Sequence, residues 1–216
     1  MCGKFTQMLC WNAMADHAAL HDSMGDGPLE TVTPMRFASV IALDGEGRRK
    51  AVRMRWGLVP PGAGDPAAAG PHIHARAETL DVKPTFRDAF FHRRGLVAVT
   101  GFNEGREIAP RKTEQHVLVP LDGKPVAIAV IWERWSGADD MSLLSFAMVT
   151  VPPNELIGSI TDRMPALIEE ADWPKWLGEV PATVDEVKAL LRPSARRLAM
   201  RLAAKPKARG AQPELF

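Results

Sequence analysis

The chain is poor in cysteine: of its 216 residues only Cys2 and Cys10 carry a thiol. That excludes a scaffold built on several disulfides, although a single bridge stays open. Two thiols without a secretion signal fit a reducing cytoplasm, the expected location. No stretch of about 18 apolar residues occurs, so no membrane-spanning helix is expected. Lys4 is followed by Trp11, Asn12 and Asp16, which leaves no apolar segment long enough for a signal peptide. No Cys/His cluster has zinc-ligand spacing. His72, His74 and His116 have no cysteine or carboxylate partners at ligand spacing, so neither a metal nor another cofactor is expected. No internal repeat is present.

What remains is the composition of an ordinary globular protein, long enough for one sizeable core. The net charge of +1 hides an asymmetry. Between Arg48 and Lys112 stand thirteen Lys/Arg against six Asp/Glu, and from Thr183 to Phe216 eight against three. The first thirty residues lean acidic through Asp16, Asp22, Asp26 and Glu30. A basic middle points to a phosphate-rich partner; on charge alone, a solvated surface explains it equally well.

Strands are expected at RFASVIAL and KAVRMRWGLVP, around the turn DGEGRR. Further β-rich runs are GLVAVTGF, HVLVPL, KPVAIAVIWERW and SLLSFAMVTVP. Short helices are expected at WNAMADHAALHDSMG, KPTFRDAFFHRR, NELIGSI, ADWPKWL and TVDEVKALLR. PPGAGDPAAAGP reads as a loop, and KPKARGAQPELF as a disordered basic tail. Strands outnumber helices and do not alternate regularly with them. The expected fold class is therefore α+β, a single domain with an antiparallel-rich core.

Cys2 stands directly behind Met1. Once Met1 is removed, its free α-amine and thiol sit on adjacent carbons. An α-amine has a pKa of about 8, so part of it is unprotonated at neutral pH. Such an amine attacks an aldehyde to give a Schiff base, and the thiol then closes a thiazolidine ring. An internal cysteine lacks this chemistry because its nitrogen is an amide. The base-free sugar of an abasic site is one aldehyde that a basic protein would meet, with its phosphates held nearby.

The segments MCGKF, WGLVP, HARAET, PTFRDAF, RRGLVAVTGFNE, AVIWERW, SITDRMPALI and WPKWL occur in the order seen in SRAP-domain proteins, the SOS-response-associated peptidase family. The chain resembles that family over about residues 1–178. The resemblance implies a barrel-like, mostly antiparallel β-core with peripheral short helices. It implies a DNA-damage response in which Cys2 captures abasic sites in single-stranded DNA covalently. Autocatalytic removal of Met1 and a lyase step belong to the same expectation. Cys2 matches the family's nucleophile and Glu104 its catalytic glutamate, while Arg76 and Arg163 match arginines that contact phosphate. The domain is expected to span 1–180, followed by a helix and basic tail over 181–216, and to act as a monomer.

Several positions depart from the family's pattern. His74 stands where asparagine is usual, Thr161 where histidine is usual, and Lys4 where arginine is usual. Asn103 and Gly105 flank Glu104 in place of aromatics. One reading gives His74 the acid–base work of the missing imidazole; the other, which is favoured, has it keep only the hydrogen bond an asparagine would make. A cysteine hydrolase using Cys2 with His74, and a DNA-binding paralogue without chemistry, remain rival readings. Cys10, Trp56, Trp132 and Trp135 are expected to pack in the core. Arg76 pairing with Glu78, and Arg163 in an ion pair, are the structural alternatives to phosphate contact.

Overall fold

Two burial patterns separate the strands. The Val126–Ser136 strand begins with six buried residues in a row, the mark of a strand covered on both faces. The Lys112–Pro120 strand buries His116, Leu118 and Pro120 and leaves the residues between them half-buried, as a sheet with one covered face requires.

The protein is represented by a computed structural model that describes residues 2–7, 30–67, 72–138 and 141–203. In chain order the strands are Lys4–Gln7 (β1), Glu30–Val32 (β2), Phe37–Leu43 (β3), Arg49–Trp56 (β4), His74–Arg76 (β5), Arg94–Val99 (β6) and Gly101–Ala109 (β7). They continue with Lys112–Pro120 (β8), Val126–Ser136 (β9), Ser142–Val151 (β10), Met164–Pro165 (β11), Leu167–Ile168 (β12) and Leu198–Leu202 (β13). The helices are Pro84–His92 (α1), Glu155–Gly158 (α2), Trp173–Leu177 (α3) and Val184–Ala189 (α4).

Strands β10, β4, β3, β6 and β9 form a ring, because β9 pairs back onto β10. All its pairings are antiparallel except β10 with β4. The closed ring leaves no free edge among these five strands. A second, wholly antiparallel sheet runs β13-β8-β7-β1-β2. One buried cluster joins the two, with Phe5 and Phe102 from the second sheet and Trp56, Leu96 and Phe146 from the ring. The α+β fold with a barrel-like core is thus observed.

Local sequence explains the helix ends. Pro84 starts α1, where a missing N–H costs nothing, and Phe86, Ala89 and Phe90 form its buried face. The Asn154 side chain caps α2 by accepting from the Ile157 N–H at 3.0 Å. Thr183 and Glu186 form a capping box on α4. Gly178 ends α3 at φ 94°, a left-handed cap that favours glycine. Gly95 on β6 meets a different need: a Cβ there would lie 2.7 Å from Val40 Cγ1. Its carbonyl accepts the Trp176 indole N–H at 2.8 Å, which fastens α3 to the ring.

Two details differ from the sequence expectation. GLVAVTGF forms not one strand but two, because the chain leaves the ring after Val99 and enters the second sheet at Gly101. Beyond residue 180, Leu198–Leu202 adds an edge strand to β8, and Val187 of α4 joins the core. The expected helix over residues 11–25, Cys10 and the basic tail from Lys205 lie outside the described residues. Among the described residues no helix is long and apolar enough to cross a membrane.

Candidate functional site

Strand β1 lies between β2 and β7, with Lys4 opposite Asn103 and Phe5 opposite Phe102. This pairing brings Cys2, two residues ahead of the strand, to Glu104 on β7. Cys2 is 1% exposed and Glu104 fully buried. The Cys2 thiol donates to the Lys4 carbonyl at 3.4 Å. Burial, then the neighbouring Glu104 charge, hold the thiol pKa far above its ordinary value. The thiol is therefore protonated at neutral pH, and a bare thiolate attack is not the chemistry this pocket favours.

Glu104 is a buried carboxyl in an unusual state. Burial pushes its pKa up to about 7; the nearby Cys2 backbone N–H offsets part of the rise, and the charge of Asp162 adds to it. A carboxyl poised near neutrality both gives and takes protons at working pH.

His74 opens β5, which runs parallel to β10 and places the ring over the start of the chain. Its Nε2 lies 2.6 Å from the Cys2 carbonyl oxygen. A carbonyl only accepts, so Nε2 carries the proton in this contact. Burial lowers the His74 pKa, while the bond to Cys2 partly opposes that shift. Trp56 meets the imidazole edge-on with ring centroids 6.2 Å apart, and its own indole N–H donates to the Ile73 carbonyl at 2.9 Å. His74 is thus a neutral donor fixed on the Cys2 carbonyl, as an asparagine amide would be. Accordingly His74→Asn is expected to keep most of the wild-type rate of Cys2 chemistry and the shape of its pH profile. His74→Ala, which leaves the buried carbonyl unpaired, should be slower. Rates measured for both variants across pH check this.

The remaining candidates divide. Thr161 follows α2, with its N–H bonded to the Ile157 carbonyl at 3.0 Å. It precedes Asp162, whose charge reaches Glu104. Arg76 is exposed and Lys4 half-buried, both beside the pocket on β5 and β1. Arg163 faces inward and is only 9% exposed. Its guanidinium grips both Glu78 carboxylate oxygens at 2.5 and 2.9 Å and the Thr150 carbonyl at 2.6 Å. The ion-pair alternative describes this arginine, and Arg76 carries the outward charge. Arg163→Ala is therefore expected to lower stability by about 1–3 kcal/mol by leaving these acceptors unpaired, whereas Arg76→Ala should leave it unchanged. Paired thermal-unfolding curves decide this.

Gly105 leaves room that side chains of β8 occupy: a Cβ there would lie 2.5 Å from Thr113 Cγ2 and 2.9 Å from Gln115 Nε2. Trp56 is fully buried and Trp135 nearly so. Among the described residues no group of three His, Cys, Asp or Glu side chains is placed to hold a metal ion. Two residues near the site were given no role there by the sequence reading: Asp162, and His116, weighed only as a metal ligand, which stands opposite Glu104 on β8. The turn at Pro110 and Arg111 alone would set Val117 opposite Glu104; a register shift between Glu107 and Ala109 brings His116 there instead.

Comparison with known proteins identifies the family. The SOS response associated peptidase (SRAP) family model matches residues 1–205. The abasic site processing protein YoqW of Bacillus subtilis is 30% identical over 197 residues, covering 89% of this chain and 87% of its own. The abasic site processing protein HMCES of Xenopus tropicalis is 26% identical over 168 residues, covering 66% of this chain and 49% of its own. In fold, the chain resembles a crystal structure of a Bordetella bronchiseptica protein with a TM-score of 0.80 at 23% identity, covering 94% of this chain and all of the other. The match over nearly the whole chain, together with a cysteine and a glutamate meeting at the start of the first strand, establishes that this chain belongs to the SRAP family.

Proposed function

We propose that the protein processes abasic sites in DNA by capturing their aldehyde on Cys2. The observation that carries this reading is the pairing of β1 with β7, which brings the Cys2 backbone nitrogen close to the buried Glu104 carboxyl. Hydrolysis of the Met1–Cys2 peptide bond, which consumes one water, turns that nitrogen into the free α-amine. The amine is then born beside a carboxyl matched to neutral pH.

The steps balance as follows. The amine nitrogen bonds to the aldehyde carbon and gives a carbinolamine. Glu104 protonates its hydroxyl, water leaves, and an iminium forms. The thiol sulfur adds to the iminium carbon as its proton passes to Glu104, and a thiazolidine results. The sum is aminothiol plus aldehyde giving thiazolidine and one water. The thiol needs no free thiolate pool, because Glu104 takes its proton during addition. His74 holds the Cys2 carbonyl and so fixes the direction of amine and thiol. Arg76 and Lys4 bind the flanking phosphates of single-stranded DNA. Arg163 serves by holding Glu78 and the strand that carries Arg76.

Incubation with a single-stranded oligonucleotide carrying one abasic site tests the reading. A protein–DNA species that survives denaturing electrophoresis is expected, and none with an intact-base control. Equal binding of both oligonucleotides with no denaturant-resistant species would instead support recognition without chemistry.

A further inference from the structure

A buried carboxyl that gives and takes protons needs a path to solvent. On β7 and β8, Glu104 and His116 stand directly opposite each other. They share the covered face that also carries Phe102 and Leu118. Side chains paired in this way have Cβ atoms about 4.5–5.5 Å apart. His116 is 9% exposed, and its Nδ1 is buried with no hydrogen-bond partner. Its Nε2 lies 3.5 Å from Glu114 Oε1, whose side chain is 37% exposed. The imidazole therefore has one nitrogen in the interior and the other at a carboxylate that meets water.

An unpaired buried ring nitrogen costs about 1–3 kcal/mol, and an apolar residue at this inward position of β8 would avoid that cost. A function in the reacting complex accounts for keeping it. The other groups on this face are Arg106 of β7, opposite Glu114, and Leu202 of β13, opposite His116. Arg106 only donates, Leu202 is apolar, and Thr161 offers only a hydroxyl.

We propose that His116 is a positioning residue for Glu104, passing protons between that buried carboxyl and the solvent edge at Glu114. The inference rests on the capture reading above. It assigns His116 no contact with DNA and no bond to the sugar.

The test compares wild type, His116→Phe and His116→Gln for the rate of adduct formation with the abasic oligonucleotide across pH, with and without added free imidazole. Both variants are expected to slow capture by about 10²-fold, the low end of acid–base help, and to change the pH profile. Free imidazole, entering the space or its edge, should restore part of the rate in proportion to its concentration. Thermal unfolding identifies whichever variant folds as wild type does. The inference is overturned if a folded variant captures at the wild-type rate with the same pH profile. It is equally overturned if the rate falls but free imidazole restores none of it. A wild-type chain that makes no adduct sinks the capture reading itself, a result distinct from either.

Discussion

Cys2→Ala is expected to abolish the stable covalent adduct with an abasic oligonucleotide while leaving non-covalent binding close to wild type. The charges of exposed Arg76 and half-buried Lys4 do not depend on the thiol, so affinity survives the change. Cys2→Ser separates the two halves of the chemistry. Its amine still forms an imine, which borohydride traps, but its hydroxyl closes a far less stable ring. Denaturing electrophoresis should thus show a band for Cys2→Ser only after reduction, and a reduction-independent band for wild type. A stable adduct on Cys2→Ala would move the nucleophile to another residue, such as a lysine.

Glu104→Gln carries the second large effect, in two readouts of opposite sign. Without the carboxyl, loss of water from the carbinolamine and deprotonation of the thiol both lose their proton carrier. Capture should slow by about 10²–10⁴-fold. Stability moves the other way. The Glu104 pKa rises from 4.5 to about 7 on folding. A raised carboxyl contributes stability in full below its unfolded pKa, and that contribution is lost as pH climbs through the folded value. The difference amounts to about 3 kcal/mol on the alkaline side. Glutamine carries no such charge. Glu104→Gln should therefore unfold at a higher temperature than wild type at about pH 8, and the gap should close toward about pH 5. A variant equally slow but no more stable at high pH would mean that Glu104 is ionised without penalty in the folded chain.

Much of the fold was legible because strands buried on both faces announce themselves. FASVIAL and VAIAVI needed no partner to be read. Gly101–Ala109 was only half visible, since GREIA has neither alternation nor high β-propensity. That half of β7 is a strand because β8 folds back on it through the turn at Pro110 and Arg111. LAMRL in β13 fits helix or strand equally, and only the open edge of β8 decides between them. The parallel pairing of β10 with β4, which completes the ring, joins residues ninety positions apart and leaves no local mark.

At the site, Cys2 and Glu104 were read from motifs, and β1 against β7 brings them together. The fate of Arg163 was not legible as more than an alternative. Its partner Glu78 is 85 residues away in sequence, and no spacing says which arginine faces water. His74 was read chiefly as the hydrogen-bonding group an asparagine would be, with acid–base work as the alternative. The carbonyl it must face at 2.6 Å reduces it to a donor.

Intact-mass measurement of the purified protein, alone and after exposure to an abasic oligonucleotide, tests the central claim most directly. The expected mature mass lacks the initiator methionine, and the expected adduct weighs the sum of protein and DNA less one water. A chain that keeps Met1, and whose mass is unchanged by the lesion, would contradict it.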